Sequence, residues 1–142
     1  MLAATTLEQS RKLIELGINI DTADMWYQHT GYSAKDGSLK PIYFPMIIRD
    51  NESEDDVPAW STEALLNVLP KHIEKDYWYV PELYFRNDMW TLEYSAPHTN
   101  TWLSKTTSNT PFGAVYDMVM WCLSNGFISS NMVVSEEERK AS

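Results

Sequence analysis

One segment of this sequence, residues 111–123, limits the possible folds more than any other. Pro111 stands at a first helical position, where its missing N–H donor costs nothing, and Asn125-Gly126 is a typical helix stop. Between these signals Asp117 is the single charged residue. Because a helix that is apolar on nearly all sides is normally buried, we expect this helix to form the centre of the core.

The first helix is predicted from signals at both of its ends. Thr5 and Glu8 have the spacing of a capping box, in which each side chain binds a free backbone N–H of the first turn. Gly17 suits the left-handed residue that ends a helix, and Ile18 would then pack back onto the last turn. These signals predict a helix over residues 6–16.

A second helix is predicted after residue 60. Ser61 is a good N-cap, and Trp60 and Leu65 have the spacing of a hydrophobic staple. Pro70 disfavours helical geometry in the residue before it, so the helix should end near Leu69.

Strands are predicted at residues 25–30 and 42–48, which are rich in β-branched and aromatic side chains. An Asp-Gly turn signal at residues 36–37 lies between them. Pro41 and Pro45 cannot donate to a strand ladder, so we expect the second segment at a sheet edge.

The clearest tertiary prediction is a hairpin with Asn87 and Asp88 as its two-residue turn. In this register the apolar side chains share one face, and a slip of one residue would scatter them over both faces. The apolar face pairs Phe85 with Trp90, Leu83 with Leu92 and Pro81 with Tyr94, and the opposite face pairs Arg86 with Met89, Tyr84 with Thr91 and Glu82 with Glu93.

The predicted elements follow the order helix, strand pair, helix, hairpin and helix. This order indicates one α+β domain over residues 1–134, in which antiparallel strands pack against about three helices. Residues 135–142 are predicted to form a charged C-terminal tail.

The charge of the chain narrows its possible partners. It carries 20 acidic and 11 basic residues, a net charge of −9, and five carboxylates fall within residues 50–56, which we expect to form a solvated loop. Affinity for phosphate backbones comes largely from Lys and Arg, so direct nucleic-acid binding is disfavoured. An acidic surface suits a basic partner or serves solubility alone.

Membrane and export signals are not evident in this sequence. No run approaches the roughly 18 consecutive apolar residues of a membrane-spanning helix. The N-terminal residues lack the basic segment followed by an apolar stretch that is typical of a signal peptide. A single cysteine, Cys122, excludes an internal disulfide and any multi-cysteine zinc site. We therefore expect a cytoplasmic protein with no membrane association and no cofactor.

Three stretches of the sequence resemble blocks that a family of small proteins shares in the same order. They are TLEQSRKLIELGINIDTADMWY, VPAWSTEALLNVLP and NTPFGAVYDMVMWCLSNGFI, which together cover about two fifths of the chain. The family consists of small uncharacterised proteins from gut Bacteroidales bacteria, their phages and mobile elements. The resemblance implies an origin and an architecture, and it carries over no activity and no functional residue.

Patterns typical of catalytic or metal sites are weak. His29, His72 and His98 are far apart and form no His-x-x-x-His pair, so a metal site lacks a local scaffold. Cys122 falls in the apolar helix, which supplies neither a base for a nucleophile nor access for a substrate.

Two pairs of carboxylates have alternative explanations. Asp21 and Asp24 have the spacing of a paired carboxylate, and the capping of a turn explains the same spacing. Glu82 and Glu93, opposite each other in the hairpin, are either a cation site, a carboxylate pair with one raised pKa, or two side chains that splay into water at an exposed face.

Eight aromatic residues fall within residues 77–102 and suggest a recognition surface. About half belong to the predicted core face. The remainder either cover the core or form an exposed patch of the kind that marks interfaces and ligand-stacking platforms. The candidate interaction surface consists of Tyr77, Trp78, Tyr79, Glu82, Tyr84 and Glu93.

Three classes of function follow from these observations. The preferred one is a non-enzymatic accessory of phage or mobile-element origin that binds a host protein through acidic and aromatic surface. The second is a small-ligand binder, for a nucleotide or a sugar, which a cleft lined by Trp26, Trp78 or Trp102 would favour. The third is an enzyme whose site assembles only in the fold, which would require two or more of five residues within hydrogen-bonding reach in a cavity. These residues are His29, His72, His98, Asp24 and Glu93.

Overall fold

A computed structural model of the chain describes residues 3–35, 38–46 and 56–128. In chain order the elements are α1 (Leu7–Glu15), a 3-10 turn (Ile20–Thr22), β1 (Met25–Lys35), β2 (Ser38–Met46), β3 (Val57–Ala59), α2 (Thr62–Val68), β4 (Ile73–Glu74), β5 (Trp78–Arg86), β6 (Met89–Ser95), β7 (Trp102–Ser108) and α3 (Pro111–Ser124). The strands form two antiparallel sheets, with orders β2-β1-β3 and β4-β5-β6-β7. This arrangement confirms the predicted α+β class. The predicted tail, residues 135–142, lies outside the described residues.

The last helix, α3, is central, as its sequence predicts. It packs against β6 and β7 and contacts α2, and one apolar cluster joins it to α1, α2 and the four-stranded sheet. Its one charged side chain, Asp117, is exposed. The buried residues of the helix are Ala114, Val115, Met118, Val119, Cys122 and Leu123.

The first turn of α3 runs so close to the end of β7 that Gly113 has no room for a side chain. A Cβ placed on Gly113 would lie 2.0 Å from Ser108 Oγ and 2.8 Å from Ser108 Cβ. Both distances are shorter than real Cβ contacts allow, so the packing of helix on sheet depends on glycine here.

We expect Gly113→Ala to lower the free energy of unfolding by about 1–3 kcal/mol, the usual range for overpacking. The direction of this change in stability is informative, because replacing glycine by alanine within a helix normally stabilises a protein by about 0.5–1 kcal/mol. Urea denaturation followed by circular dichroism measures the change. In a Ser108→Gly background the same replacement should cost less, and a Gly113→Ala protein that is more stable than the parent would contradict the close approach.

The capping box of α1 lies one residue later than predicted. Thr6 is the N-cap: its hydroxyl accepts from the N–H of Gln9 (3.1 Å), and the Gln9 side chain accepts from the N–H of Thr6 (2.9 Å). Thr5 is instead buried, with its hydroxyl 2.7 Å from that of Ser10 and accepting from the N–H of Trp60 (3.0 Å). The predicted capping box of Thr5 and Glu8 is therefore wrong, because the hydroxyl of Thr5 binds the N–H of Trp60 instead.

The end of α1 is a Schellman motif, as predicted. Gly17 is left-handed (φ 93°) and donates to Ile14 O at 3.0 Å, while Ile18 donates to Leu13 O at 3.1 Å. Both Leu13 and Ile18 are buried in the core.

The three-stranded sheet contains the predicted segment 25–30 and residues 42–46 of the second one, whose last two residues, 47 and 48, lie outside the described residues. β2 lies at its edge, next to β1, which confirms the edge position predicted from Pro41 and Pro45. The turn signal at residues 36–37 and most of the predicted acidic loop lie outside the described residues. Asp56, the last residue of that loop, is buried, so the prediction that it is solvated is wrong.

Helix α2 begins and ends as its sequence predicts. The hydroxyl of Ser61 accepts from the N–H of Ala64 (3.2 Å), and the helix ends at its C-cap, Leu69. Trp60 and Leu65, the predicted staple pair, are both fully buried.

The β5–β6 hairpin has the predicted register at every pair. Both turn residues are left-handed, with φ of 55° at Asn87 and 61° at Asp88. Leu92 and Tyr94 are buried on the predicted core face, but Phe85 is 57% exposed. The reason is that α3 covers β6 and β7 and leaves this end of β5 open.

Candidate ligand-binding cleft

The four-stranded sheet has one face packed on α3 and an opposite, outer face. Successive side chains of a strand point to opposite sides, so the buried Leu92 and Tyr94 place Glu93 of β6 on the outer face. Register then places Glu82 of β5 and Lys105 of β7 beside Glu93 on the same face. This outer face of the four-stranded sheet carries the charged and aromatic groups of interest.

A cleft of about 390 Å³ lies on the outer face. Three strands and the loop over residues 96–101 contribute to its walls. The strand residues that line it are Glu82, Tyr84 and Arg86 from β5, Glu93 and Ser95 from β6, and Trp102 and Lys105 from β7.

A row of three charges crosses the floor of the cleft. Glu82 is the register partner of Glu93, as the hairpin predicts, and Glu93 is the register partner of Lys105. Lys105 Nζ lies 3.5 Å from Glu93 Oε2. The lysine therefore supplies a counter-charge to Glu93. No group of three or more metal-ligating side chains occurs among the described residues.

Two aromatic rings stand beside these charges, each with a cation over its face. Lys105 Nζ lies 4.8 Å from the ring centroid of Trp102, and Arg86 Cζ lies 5.2 Å from that of Tyr84. Such cation–π contacts are favourable and restrain both partners. Trp102 nevertheless remains 53% exposed, so a large part of its surface is open to a ligand.

The loop over residues 96–101 is held by its own hydrogen bonds. Ala96 N–H donates to Thr101 O (2.9 Å), and the carbonyl of Ala96 accepts from both the N–H and the hydroxyl of Thr99. The Thr99 hydroxyl also accepts from the N–H of Thr101 (3.1 Å). His98 adopts a left-handed conformation (φ 66°) at the turn. This wall of the cleft is thus formed before any ligand arrives.

The structure divides the candidate interaction surface into three parts. Glu82, Tyr84 and Glu93 line the cleft. Tyr77 and Trp78 are about half exposed and lie outside its lining.

The third part of that surface is Tyr79, which belongs to the core. It is 2% exposed, and its hydroxyl donates to Asp76 (2.8 Å). Its side chain lies on the face of β5 opposite to Trp78, so the prediction that it is available for recognition is wrong.

Sequence reasoning did not identify Arg86 and Lys105 as parts of a site. Trp102 was considered as a pocket residue, but its strand, β7, was not predicted. The charge complementarity of Glu93 and Lys105 was a usable signal, because opposite charges favour each other across neighbouring strands. Using it requires that β7 first be placed beside β6.

Among the described side chains, His72 and His98 lie in different surroundings and do not form a common site. His72 stacks on Trp78, with ring centroids 3.8 Å apart. His98 lines the cleft together with Glu93, and no hydrogen bond joins these two described side chains. The backbone of His29 belongs to β1, in the other sheet.

Asp24 has a structural role at the start of α2. Its carboxylate accepts from the N–H of Ser61 (2.9 Å) and from the Ser61 hydroxyl. The turn that Asp24 follows is capped by Asn19, whose side chain accepts from the N–H of Asp21 (3.0 Å). The predicted turn is present, but its cap is Asn19, and the Asp24 carboxylate binds Ser61 instead.

Cys122 is fully buried in α3. Burial raises the pKa of its thiol to about 12, because the low-polarity surroundings disfavour the thiolate. A cysteine nucleophile needs both the thiolate form and access to a substrate. The structure therefore supports the prediction that Cys122 is a core residue.

A second concavity, a groove of about 570 Å³, lies along α1. Its lining consists of residues of one exposed helix face, from Glu8 to Glu15, together with Tyr116. A surface built mainly from one helix lacks the convergence of several elements that ligand sites usually show. The cleft on the outer face is therefore the better candidate.

Comparison with known proteins found no match for this chain among protein families, curated proteins or solved structures. Among the described residues, the helices are all too short or too polar to cross a lipid bilayer.

Proposed function

We propose that this protein binds a small molecule in the cleft on the outer face of its four-stranded sheet. The observation that carries the proposal is the convergence of one half-exposed tryptophan, two carboxylates and two cations on a single cleft of about 390 Å³. Ligand sites commonly combine aromatic surface with a few polar groups that fix orientation, within roughly 300–1,000 Å³.

The preorganisation of the cleft supports this function. Its floor belongs to an antiparallel sheet, Glu93 and Lys105 form an ion pair, and the loop over residues 96–101 carries its own hydrogen bonds. Groups that are already fixed lose little conformational entropy when a ligand binds, which leaves more of the interaction energy for affinity.

The test is an NMR titration of the ¹⁵N-labelled full chain with separate pools of neutral sugars, nucleotides and amino acids. We expect saturable chemical-shift changes in at least one pool, concentrated at cleft residues such as Glu93 and Trp102. The groove along α1 serves as the internal control. Changes confined to that groove, or no changes in any pool, would refute a ligand site on the outer face.

The preferred prediction from sequence, a host protein partner, stays a prediction with one supporting observation. Tyr77 and Trp78 are both about half exposed, and exposed aromatic groups are enriched at protein interfaces. Affinity capture from a Bacteroidales lysate with the parent chain and with Trp78→Ala addresses it. Recovery of the same proteins by both chains would count against this surface. The phage or mobile-element origin implied by the resemblance also remains an expectation.

A further inference from the structure

The charges of the cleft cancel, which bears on the class of ligand. Glu82 and Glu93 contribute two negative charges, and Arg86 and Lys105 contribute two positive ones. Both cations already have partners, since Lys105 pairs with Glu93 and Arg86 lies over Tyr84. A phosphate ligand usually requires cations that are available to it. The chain as a whole is also acidic, with a net charge of −9.

The aromatic platform of the cleft suits a ligand with polarised C–H groups. The face of an indole ring is electron-rich and attracts groups of positive partial charge, as Lys105 at 4.8 Å from the Trp102 centroid illustrates. One side of a pyranose ring presents C–H groups made positive by their neighbouring oxygens. Such a ring can therefore lie flat against the exposed part of Trp102.

The polar groups around Trp102 include both donors and acceptors, which suits hydroxyl groups. Glu82 and Glu93 are acceptors, Arg86 and Lys105 are donors, and Asn100 offers both. A sugar hydroxyl donates one hydrogen bond and accepts others, so it satisfies both kinds of group without bringing any net charge. A volume of about 390 Å³ is near the small end of ligand pockets, which fits a monosaccharide or disaccharide.

We infer that the ligand of the cleft is a neutral saccharide that stacks on Trp102 and hydrogen-bonds to Glu82. This inference rests on the proposed function, because it names the ligand class of the same cleft. It assigns Trp102 as the binding platform and Glu82, exposed and without a counter-ion among the described residues, as the main acceptor for the sugar hydroxyls.

The experiment compares neutral sugars with a nucleotide on matched tryptophan variants. The full chain, Trp102→Ala and Trp78→Ala are titrated with glucose, N-acetylglucosamine, maltose, cellobiose, lactose and AMP. NMR follows the backbone amide signals of the cleft residues in all three chains and, where Trp102 is present, its indole N–H signal. Trp102 and Trp78 are half exposed to nearly the same degree, and only Trp102 lines the cleft. Trp78→Ala therefore controls for the general effect of removing a surface tryptophan.

We expect at least one of these sugars to shift the Trp102 indole signal in a saturable way. Trp102→Ala should weaken binding at least about tenfold, since an anchoring aromatic residue commonly dominates a site. Trp78→Ala should bind as the parent does. Glu82→Gln, which keeps the shape of the side chain and removes its charge, should also weaken binding and serves as a second variant.

The remaining outcomes separate the ligand class from the function. If AMP perturbs the cleft and none of the sugars does, the saccharide assignment is wrong and the cleft remains a ligand site. If a sugar binds Trp102→Ala as tightly as the parent, the assigned platform is wrong. If neither the sugars nor AMP nor the wider pools perturb the cleft, both the assignment and the proposed function fail.

Discussion

Replacing Trp60 by alanine is expected to lower the free energy of unfolding by about 3–5 kcal/mol, the range for large aromatic residues truncated in a core. Trp60 is 0% exposed and is the largest side chain that the core buries completely among the described residues. It stands between β3 and α2 in the chain, and its side chain belongs to the core cluster. Alanine would leave a cavity there.

The hydrogen bonds of Trp60 show which part of this loss comes from the ring. Its N–H donates to Thr5 Oγ1 (3.0 Å) and its carbonyl accepts from the N–H of Thr5 (2.9 Å), and both bonds survive in an alanine variant. The indole N–H donates to Thr22 Oγ1 (2.9 Å). Thr22 is exposed, so water can replace this bond. The expected loss is therefore mainly one of packing.

Urea denaturation of the parent, Trp60→Ala and Trp60→Phe measures this effect. Trp60→Phe retains most of the ring and should lose clearly less stability than the alanine variant. Because natural domains have only about 5–15 kcal/mol in total, Trp60→Ala should remove a large fraction of the stability of the domain. A loss below about 1 kcal/mol with an unchanged denaturant slope would mean that Trp60 does not hold the core together.

The β5–β6 hairpin could be predicted in detail because its determinants are local. Asn87 and Asp88 both tolerate left-handed geometry, which a two-residue hairpin turn requires, and the structure places both there. Once the turn is fixed, the register of every later pair follows by counting. The alternation of apolar residues then selects the buried face, which is why Leu92 and Tyr94 were placed correctly.

Predictions failed where the local sequence allows two structures and a contact with a residue distant in sequence selects one of them. Thr5 and Thr6 can both cap α1, and the N–H of Trp60, which binds Thr5, leaves Thr6 as the cap. Phe85 has the correct position for the core face, but its burial depends on where α3 lies across the sheet. Neither outcome can be obtained from the residues near the site in sequence.

The cleft was only partly predictable for the same reason. Glu82, Tyr84 and Glu93 follow from the hairpin, whereas Trp102 and Lys105 belong to β7, which mixes polar residues on both faces and gives a weak strand signal. Their position beside Glu93 depends on strand order, which is a tertiary property. The sequence thus predicts the cleft residues of the hairpin, and it does not predict the cleft residues of β7.

Cys122 is expected to react with iodoacetamide at pH 8 on the order of 10³ times more slowly in the folded protein than in urea. The reacting species is the thiolate, and a thiol whose pKa is about 12 is ionised at pH 8 to an extent on the order of 10³ times smaller than an ordinary thiol. Complete burial removes access as well, so this ratio is a minimum. Mass spectrometry of timed samples measures both rates.

The matched control places a thiol elsewhere on the same helix. Ser124 is exposed two residues further along α3, so Ser124→Cys in a Cys122→Ala background should react at the rate of a free thiol in the folded protein. Comparable rates for this variant and for the parent chain would show that Cys122 is accessible and ionised. That result would overturn the assignment of Cys122 to the core and return the enzyme hypothesis to consideration, because an accessible thiolate is what covalent catalysis by cysteine requires.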